Sequence, residues 1–456
     1  MRSLFFSIMS GAALTLAACG DGGSGDSPIS PADGGPTQPP PAPGPGATPG
    51  DPVGDGPLTG IDDGGQTDPG DGSLPGSGNT DPGDGSGAIT PPDPSDVVGP
   101  VDGNGALLPP VFDVGSPLAG SGLTLDTFPR NLIVSGGVPK DGIPALTNPR
   151  VVAPSDVSFM QEDDLVLGVV IGGEARAYPH NIGWWHEIVN DVVGGQAICA
   201  TLCPLTGTGL IFDATDTNGE QFELGVSGLL WNNNLVMYDR RDGNTLYPQI
   251  FSTGIEGSRR GETLTLLPVV ETNWSTWKRL YPDTRIVADG TYNVSQYTRY
   301  PYGDYRSNNA FLIFRLTPPL ERNPNFFSTS FGSKDMVLGV RMDGEAKAYP
   351  FDAMGQQAVI NDEVGGVDIV VVWDRDSNIA IPFAREVDGQ TLTFDIDADG
   401  AWPIGFRDRE TGTLWNVRGE SVEGPLSGQR LTQIPAHNSM WFAWVTFWQD
   451  TDVWPS

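Results

Sequence analysis

The chain contains one hairpin-forming stretch twice, first as DLVLGVVIGGEARAYP at residues 164–179 and again as DMVLGVRMDGEAKAYP at residues 335–350. In each copy two short apolar runs flank a dipeptide, Gly172-Gly173 or Asp343-Gly344, that suits a two-residue turn with positive φ. Each stretch therefore predicts a β-hairpin. Its return predicts that the globular part is built from two copies of one module.

The correspondence between the copies continues in order along the chain. Asn190-Asp191 precedes Gly194-Gly195, which predicts a second hairpin with a return strand over residues 196–202. We expect the side chains of Asn190 and Asp191 to cap the backbone. In the second copy, Asn361-Asp362 and Gly365-Gly366 match these residues. Later matches are Asp239 with Asp408, Trp274 with Trp441, and Trp277 with Trp444. The two tryptophans of each copy have the helical spacing of core residues.

These patterns predict a mainly β fold, that is, an α+β fold with few short helices. We expect two tandem copies of a β-hairpin-rich module, packed as one pseudo-symmetric body. Brief helices are expected over residues 183–189, 274–280 and 440–447. The first copy is assigned to residues 119–290 and the second to residues 331–456. A Tyr-rich connector at residues 291–330 is expected to pack across the joint.

The first 18 residues indicate a secretory signal peptide, with a positive start at Arg2 and an apolar run too short to span a bilayer as a stable helix. The run ends in LAAC at residues 16–19, which resembles the bacterial lipobox. Cys19 is therefore the expected lipidation site, and the attached acyl chains are the expected membrane anchor. The expected location is the cell envelope or periplasm, with the protein anchored by lipid. Gly20 follows the cysteine, as in Gram-negative lipoproteins sorted to the outer membrane, and this resemblance favours that membrane.

Residues 19–118 are expected to form a disordered tether, because they are dominated by Gly, Pro, Asp, Ser and Thr and contain no Lys, Arg or Glu. A flexible segment of this length has a root-mean-square span on the order of 55 Å. Many of the acidic residues behind the net charge of -32 lie here. The chain has no Lys/Arg cluster, so we expect no nucleic-acid partner. The expected partner is the membrane, which the attached lipid would enter. The sequence does not identify a protein or small-molecule partner in the envelope.

A duplicated scaffold offers an internal comparison, since residues kept in both copies are explained by folding. Polar and sulfur-containing residues present in one copy only need another reason, and nearly all of them lie in the first copy. They are His180, His186, Glu187, Cys199, Cys203, Met237 and Gln249, which align with Phe351, Gln357, Ala358, Val370, Asp374, Phe406 and Val417. The sequence therefore places any chemical site in the first copy.

The strings that carry these residues are WWHEIVND at residues 184–191, CATLCPLTGT at 199–208 and LVMYDR at 235–240. They resemble a bacterial and archaeal family known as domain of unknown function 3179, over about residues 150–452. The resemblance implies no activity. The chain departs from the family pattern at Thr206, where the family usually has a second cysteine, and this weakens any two-cysteine mechanism.

Three explanations for His186 and Cys203 stay open. The first is a soft-metal site for copper or zinc, with these two residues as ligands and His180 or Met237 as additions. The second is a reactive thiol, a nucleophile or redox centre at Cys203 whose pKa is lowered by His186, with Glu187 or Asn190 orienting the imidazole. The third is structural: the residues satisfy hydrogen bonds and packing, and the folded body is a non-catalytic binding or scaffold module.

Geometry restricts the two cysteines. In a continuous strand, the Cα atoms of Cys199 and Cys203 are roughly 13 Å apart, beyond the roughly 7 Å that a disulfide allows. The chain therefore either bends near Pro204 or keeps both thiols free. His437, beside an aromatic helix of the second copy, is expected to be an exposed or capping residue.

Overall fold

The structure is a computed structural model that describes residues 114–117, 119–288, 291–314, 316 and 331–455. The predicted signal peptide, the predicted lipidation site Cys19 and the predicted tether up to residue 113 lie outside the described residues. The described residues belong to one compact unit. None of the helices among them is long and apolar enough to cross a membrane.

The prediction of a mainly β fold is confirmed, because strands account for 41% of the structure and helices for 10%. The strands of the first copy are β1 (Val134–Ser135), β2 (Leu146–Thr147), β3 (Val151–Val152), β4 (Leu165–Ile171), β5 (Glu174–Pro179), β6 (Ile188–Val193), β7 (Gln196–Cys203), β8 (Thr208–Asp213), β9 (Leu224–Trp231), β10 (Asn234–Asp239), β11 (Leu246–Pro248), β12 (Leu266–Leu267), β13 (Val270–Asn273) and β14 (Arg285–Val287).

The second copy contributes thirteen strands among the described residues, one fewer than the first. Its strands are β15 (Met336–Met342), β16 (Glu345–Pro350), β17 (Gln357–Val364), β18 (Val367–Asp374), β19 (Ile379–Ala384), β20 (Glu386–Val387), β21 (Gln390–Thr391), β22 (Phe394–Asp397), β23 (Gly405–Asp408), β24 (Leu414–Asn416), β25 (Ser421–Glu423), β26 (His437–Met440) and β27 (Asp452–Val453). The α-helices among the described residues are α1 (His180–His186), α2 (Trp274–Leu280), α3 (Val294–Tyr297) and α4 (Trp441–Phe447).

Two of the predicted helices have different bounds in the structure, whereas α2 has the bounds predicted from the sequence. Helix α1 begins three residues earlier than predicted, directly after Pro179, whose extended conformation (φ -61°, ψ 138°) precedes the first helical turn. It ends before Glu187, which has φ 58°. The β-branched residues that follow then enter strand β6, as their propensity favours. Helix α4 begins at Trp441, one residue later than predicted.

The two-residue turns of all four hairpins are confirmed. Gly172 and Gly173 have φ values of 54° and 79°, and Asp343 and Gly344 have values of 42° and 87°. Consecutive positive φ angles define the turn whose twist matches that of the flanking strands. The second hairpins turn in the same way at Gly194-Gly195 and Gly365-Gly366.

A tryptophan ring packs directly on a glycine of the first hairpin in each copy. A Cβ atom added to Gly168 would lie 2.2 Å from the ring of Trp277, and one added to Gly339 would lie 2.0 Å from the ring of Trp444. All four tryptophans of the two matching pairs are buried, as expected for core residues. The sheets around these contacts have the related strand orders β13-β4-β5-β14-β3 and β26-β15-β16-β27.

An aspartate ties the two hairpins of each copy together. Asp191 on β6 accepts hydrogen bonds from Arg176 and from the hydroxyl of Tyr178 on β5, the latter at 2.8 Å. Asp362 accepts the equivalent bond from Tyr349 at 2.9 Å. Residues that recur in both copies therefore serve the scaffold.

The asparagine before each aspartate has a longer reach than a local cap. The side-chain oxygen of Asn190 accepts from the backbone N–H of Leu224 at 2.9 Å, on a strand 34 residues away. Asn361 accepts from the backbone N–H of Phe394 at 2.8 Å. The asparagine side chains therefore cap backbone groups, as expected, but these groups belong to a strand of a different sheet.

The two copies share a buried apolar cluster and two matching backbone contacts. Cys203 and Leu210 of the first copy lie in the same cluster as Trp444 of the second and Tyr305 of the connector, so the connector contacts the joint as expected. The backbone N–H of Met440 donates to Thr206 O at 2.9 Å, and that of Asn273 donates to Ser377 O at 3.1 Å. Packing of the copies as one pseudo-symmetric body stays a prediction.

We expect Gly168→Ala and Gly339→Ala each to lower the free energy of unfolding by about 1–3 kcal/mol or more, because the new methyl group would overlap an indole ring in a packed core. Urea unfolding of the purified protein measures the change. Val170→Ala, at a 36% exposed position on strand β4, is the control and should change it by less than about 1 kcal/mol. Unchanged stability of both glycine variants would contradict the packing described.

Candidate functional site

His186 closes helix α1 and is fully buried. Its Nδ1 lies 2.7 Å from the carbonyl oxygen of Pro144, which can only accept, so Nδ1 donates. Its Nε2 lies 2.9 Å from the hydroxyl of Tyr297. In the neutral ring Nε2 therefore accepts a hydrogen bond from the Tyr297 hydroxyl. Both ring nitrogens are engaged by structural partners.

Cys203 ends strand β7 and is 1% exposed. Its sulfur accepts from the backbone N–H of Leu235 at 3.4 Å and donates to Asn233 O at 3.5 Å. Burial raises the pKa of this thiol to about 11, and the nearby Glu187 adds to the rise. The expectation that His186 lowers this pKa is therefore wrong, because loss of hydration outweighs the hydrogen bonds that favour the thiolate.

The alternative that keeps both thiols free agrees with the structure. Strand β7 runs without a break from Gln196 to Cys203, and neither Cys199 nor Cys203 forms a disulfide. Cys199 is fully buried, and burial also raises its pKa. It packs as a small apolar residue opposite Asn190 of strand β6.

The remaining predicted metal ligands lie in different surroundings. His180 Nε2 is 3.8 Å from a carboxylate oxygen of Glu271, and burial, with a contribution from Arg306, lowers the pKa of His180 to about 3. Met237 is fully buried on strand β10, opposite Val226. Across the described ranges, no three or more His, Cys, Asp or Glu side chains are grouped as a metal site would require.

Gln249 is part of a closed network of buried polar groups. Its Oε1 accepts from the Thr208 hydroxyl at 2.8 Å and from Asn234 Nδ2 at 2.9 Å. Its Nε2 donates to the Thr201 hydroxyl at 2.8 Å. A buried network with its members satisfied fixes the positions of the strands that carry them.

The connector explains much of the difference between the copies, because polar groups of the first copy hold it. Besides the contact between His186 and Tyr297, Asn181 Nδ2 donates to Tyr297 O at 2.8 Å. Trp185 Nε1 donates to Arg299 O at 3.1 Å, and the Tyr300 hydroxyl donates to Pro204 O at 2.9 Å. Asn233 exchanges two hydrogen bonds of 2.9 Å with the backbone of Phe314.

The corresponding positions of the second copy serve other contacts. Phe351, which aligns with His180, packs on the ring of Trp373 with centroids 4.3 Å apart. Gln357, which aligns with His186, donates to Asp374 at 2.7 Å. Folding contacts therefore account for His186, which binds the connector, and for Gln249, which belongs to a buried polar network of the first copy.

A family model described as "Protein of unknown function (DUF3179)" matches residues 140–451, more than half of the chain. The chain belongs to the DUF3179 family. No curated protein and no solved structure matches it. The family description names no activity, so function has to be argued from the geometry of the DUF3179 domain.

Glu187 is a position in the DUF3179 domain that neither the connector nor the buried polar network explains. It is 7% exposed, and its backbone has the unfavourable combination of φ 58° and ψ -33°. No described residue forms a hydrogen bond with its carboxyl group, and burial raises its pKa to about 8. Backbone strain and a carboxyl group whose ionised form is disfavoured by burial are both costly, and strained positions are concentrated at functional sites.

Two further buried polar residues went unnoticed in the sequence. Glu271 on β13 is 6% exposed, and burial raises its pKa to about 7. Pairing with Leu167 and Leu338 puts Glu271 and Asn438 at equivalent positions of the two copies. Both copies have a polar residue at this position of a buried strand, and this repetition could have identified the pair from the sequence. His437, expected to be exposed or capping, is instead 8% exposed and packs on Trp444.

We expect Glu187→Gln to gain stability relative to the native protein as pH rises. The ordinary pKa of glutamate is 4.5, and in the folded protein the pKa of Glu187 is about 8. The stability that the raised pKa provides is complete below pH 4.5 and is lost as pH rises through 8. The variant should therefore have a larger free energy of unfolding, relative to native protein, at pH 9 than at pH 5.

Urea unfolding at pH 5, 7 and 9 measures this difference. Glu363→Gln, at an exposed position, is the control and should show no pH-dependent difference from the native protein. A Glu187→Gln profile parallel to the native one would mean that the carboxyl group is already ionised at pH 5.

Proposed function

We propose that this DUF3179 protein is a lipid-anchored protein of the cell envelope whose folded body is a non-catalytic binding module. The proposal has two parts, the anchor and the module, which rest on different observations and are tested separately.

The anchor is supported by the sequence. A short positive start, an apolar run and LAAC at residues 16–19 precede about a hundred residues dominated by Gly, Pro and Asp. This order is typical of a lipoprotein held to a membrane through the cysteine, with a spacer in front of a folded body. Membrane attachment through Cys19 is therefore the interaction we propose for the N-terminal part.

The binding module is supported by the contacts of the residues that set the first copy apart. His186 bridges Pro144 and the connector tyrosine Tyr297, and the pKa of the Cys203 thiol is raised, not lowered. Their polar atoms serve the positioning of the connector and of strand β10. The engagement of both His186 nitrogens is the observation on which this half of the proposal depends.

A second candidate function, thiol-dependent chemistry at Cys203, is favoured by one observation. The strained and buried Glu187 lies close enough for its charge to raise the pKa of the thiol. A carboxyl group with a pKa of about 8 is a plausible proton donor or acceptor near neutral pH. Thiol labelling and elemental analysis of the protein, described below, distinguish this candidate and the copper or zinc hypothesis from the binding module.

We expect Cys19→Ser to abolish incorporation of an alkyne-labelled fatty acid into the protein in a bacterial host. The sulfur that would carry the lipid is then absent. Labelling followed by gel fluorescence measures the effect, and Cys203→Ser, which removes a different cysteine, should keep the label. A labelled Cys19→Ser protein would rule out this anchor.

We expect Cys199 and Cys203 to react with a thiol reagent at pH 7 only after the protein is denatured. A thiol with a pKa of about 11 is ionised to about one part in ten thousand at pH 7, and both sulfurs are buried. Mass spectrometry of the detergent-solubilised protein measures the labelling, and elemental analysis measures bound metal. Rapid labelling of native Cys203, or stoichiometric copper or zinc lost in Cys203→Ala, would refute the binding-module half of the proposal.

A further inference from the structure

Strand β13 joins the first copy to the second and carries a carboxyl group in its middle. It pairs with β4 of its own copy and contacts β19 of the other. Just before the strand, Gln433 Nε2 donates to Val269 O at 3.0 Å, and at its end Asn273 Nδ2 donates to Asp376 O at 2.7 Å. Glu271 lies between these two contacts. Its carboxyl group is therefore part of the junction, as we call β13 and its contacts with the second copy.

The carboxyl group of Glu271 has little around it to compensate a charge. It is 6% exposed, and its Oε2 forms no hydrogen bond with any described residue. Its Oε1 lies 3.8 Å from His180 Nε2, which is too far for a hydrogen bond. Glu271 lines a cavity of about 10 Å³, which admits about one water molecule at most. Ionisation of Glu271 is therefore costly as long as the junction is closed.

The ionisable groups that face Glu271 supply no positive charge near neutral pH. Among the described residues around it they are His180 of α1 and His437 of β26, which lines the same cavity. Burial lowers the pKa of each imidazole to about 3. Arg306 and Arg341 act on these imidazoles, whereas burial governs the pKa of Glu271.

The other elements packed around the carboxyl group present no charge to it. The charged residues of the following helix α2 make contacts elsewhere, Lys278 with Glu162 and Arg279 with the ring of Trp402. The remaining neighbours are apolar: Leu167 of β4, Gly209 of β8, Leu338 of β15, and Ala380 and Pro382 of β19.

The scaffold requires a polar residue at this position but not an acidic one. The second copy has Asn438 at the position equivalent to Glu271, and Asn438 lines the same cavity. It also has Phe351 where the first copy has His180. The second copy therefore folds with a neutral amide and a phenyl ring in place of the carboxyl group and the imidazole. Repetition of the scaffold does not explain the ionisable pair.

A larger cavity of about 400 Å³ adjoins the small one, because Ala436 and His437 line both. Both copies contribute to its wall, and so do residues 114–117, where Arg341 NH1 donates to Val114 O at 3.1 Å. Loosening of the junction would therefore act on the main space between the two copies.

We propose that Glu271 makes the junction a pH-sensitive switch, closed while its carboxyl group is protonated and loosened once the group ionises. The inference goes beyond the proposed binding module and does not depend on it. A protonated carboxyl group carries no charge and is tolerated inside the closed junction. The ionised group is stabilised by water, which reaches it only when the strands part.

The direction of the response follows from the pKa of Glu271. Burial raises this pKa to about 7 in the closed junction, against 4.5 for an ordinary glutamate. The closed form binds the proton more tightly, so its advantage over the open form is complete below pH 4.5 and is lost as pH rises through 7. The junction should therefore open at least tenfold more often at pH 8 than at pH 5.

Hydrogen–deuterium exchange of the detergent-solubilised protein, followed by mass spectrometry, measures this opening at pH 5 and pH 8. Each exchange rate is divided by the intrinsic rate of the amide at that pH. The N–H of Asn273 donates to Ser377 O and that of Met440 to Thr206 O, so these two amides report on contacts between the copies. We expect the pH response of both amides to be at least tenfold larger in the native protein than in Glu271→Gln.

Matched variants separate Glu271 from other ionisable groups. Glu187 ionises in the native protein and in Glu271→Gln alike, so the difference between them reports Glu271. Glu363→Gln, the same change at an exposed position, should keep the native response. Glu271→Asn introduces the residue of the second copy and serves if Glu271→Gln does not fold, as judged by circular dichroism and a melting temperature. His180→Phe, which also copies the second module, should keep a response.

Four results would overturn the proposal. They are a native response no larger than that of folded Glu271→Gln or Glu271→Asn, a Glu363→Gln response as small as theirs, a response lost in His180→Phe but kept in Glu271→Gln, or an equal response in the buried strand β24. The last would mean that the whole protein unfolds with pH. None of them bears on thiol labelling or bound metal, so this inference can fail while the binding module stands.

Discussion

The contact between a tryptophan ring and a glycine backbone is the constraint on which both copies depend. The first hairpin, the strand before the helix and the helix itself meet where Trp277 covers Gly168 and where Trp444 covers Gly339. Any side chain larger than hydrogen would separate helix from sheet at this point. The indole N–H groups then bind Thr284 and Thr451, both at 2.8 Å, which fixes the strand that follows each helix.

Repetition between the copies predicted the structure best at residues whose packing neighbours are the same in both copies. The turn glycines, the paired aspartates and the four core tryptophans recur because the same local packing recurs, and each was predictable from its repetition. The bounds of α1 were less predictable, because they depend on the unusual backbone conformation of Glu187 and on the β-branched residues after it.

The candidate site was less predictable, because equivalent positions of the two copies have different surroundings. Only the contacts of the connector reveal that His186 and Asn233 hold a segment distant in sequence. Spacing along the chain carries no information about that segment. The pKa shift of Cys203 could not be predicted from a sequence pattern either. Its direction depends on how completely the fold removes water from the sulfur. Conversely, Arg341 and His437 align with Val170 and Val270 of the first copy, and this difference can be seen in the sequence.

The position of residues 114–117 has a consequence for the order in which the molecule assembles. These residues come before both copies in the chain, yet Arg341 binds the carbonyl oxygen of Val114 across 227 positions. Contacts of such high sequence separation form late, because a long loop must close before they contribute any energy. Residues 114–117 can therefore make this contact only after the hairpin that carries Arg341 has formed, although they precede both copies in the chain.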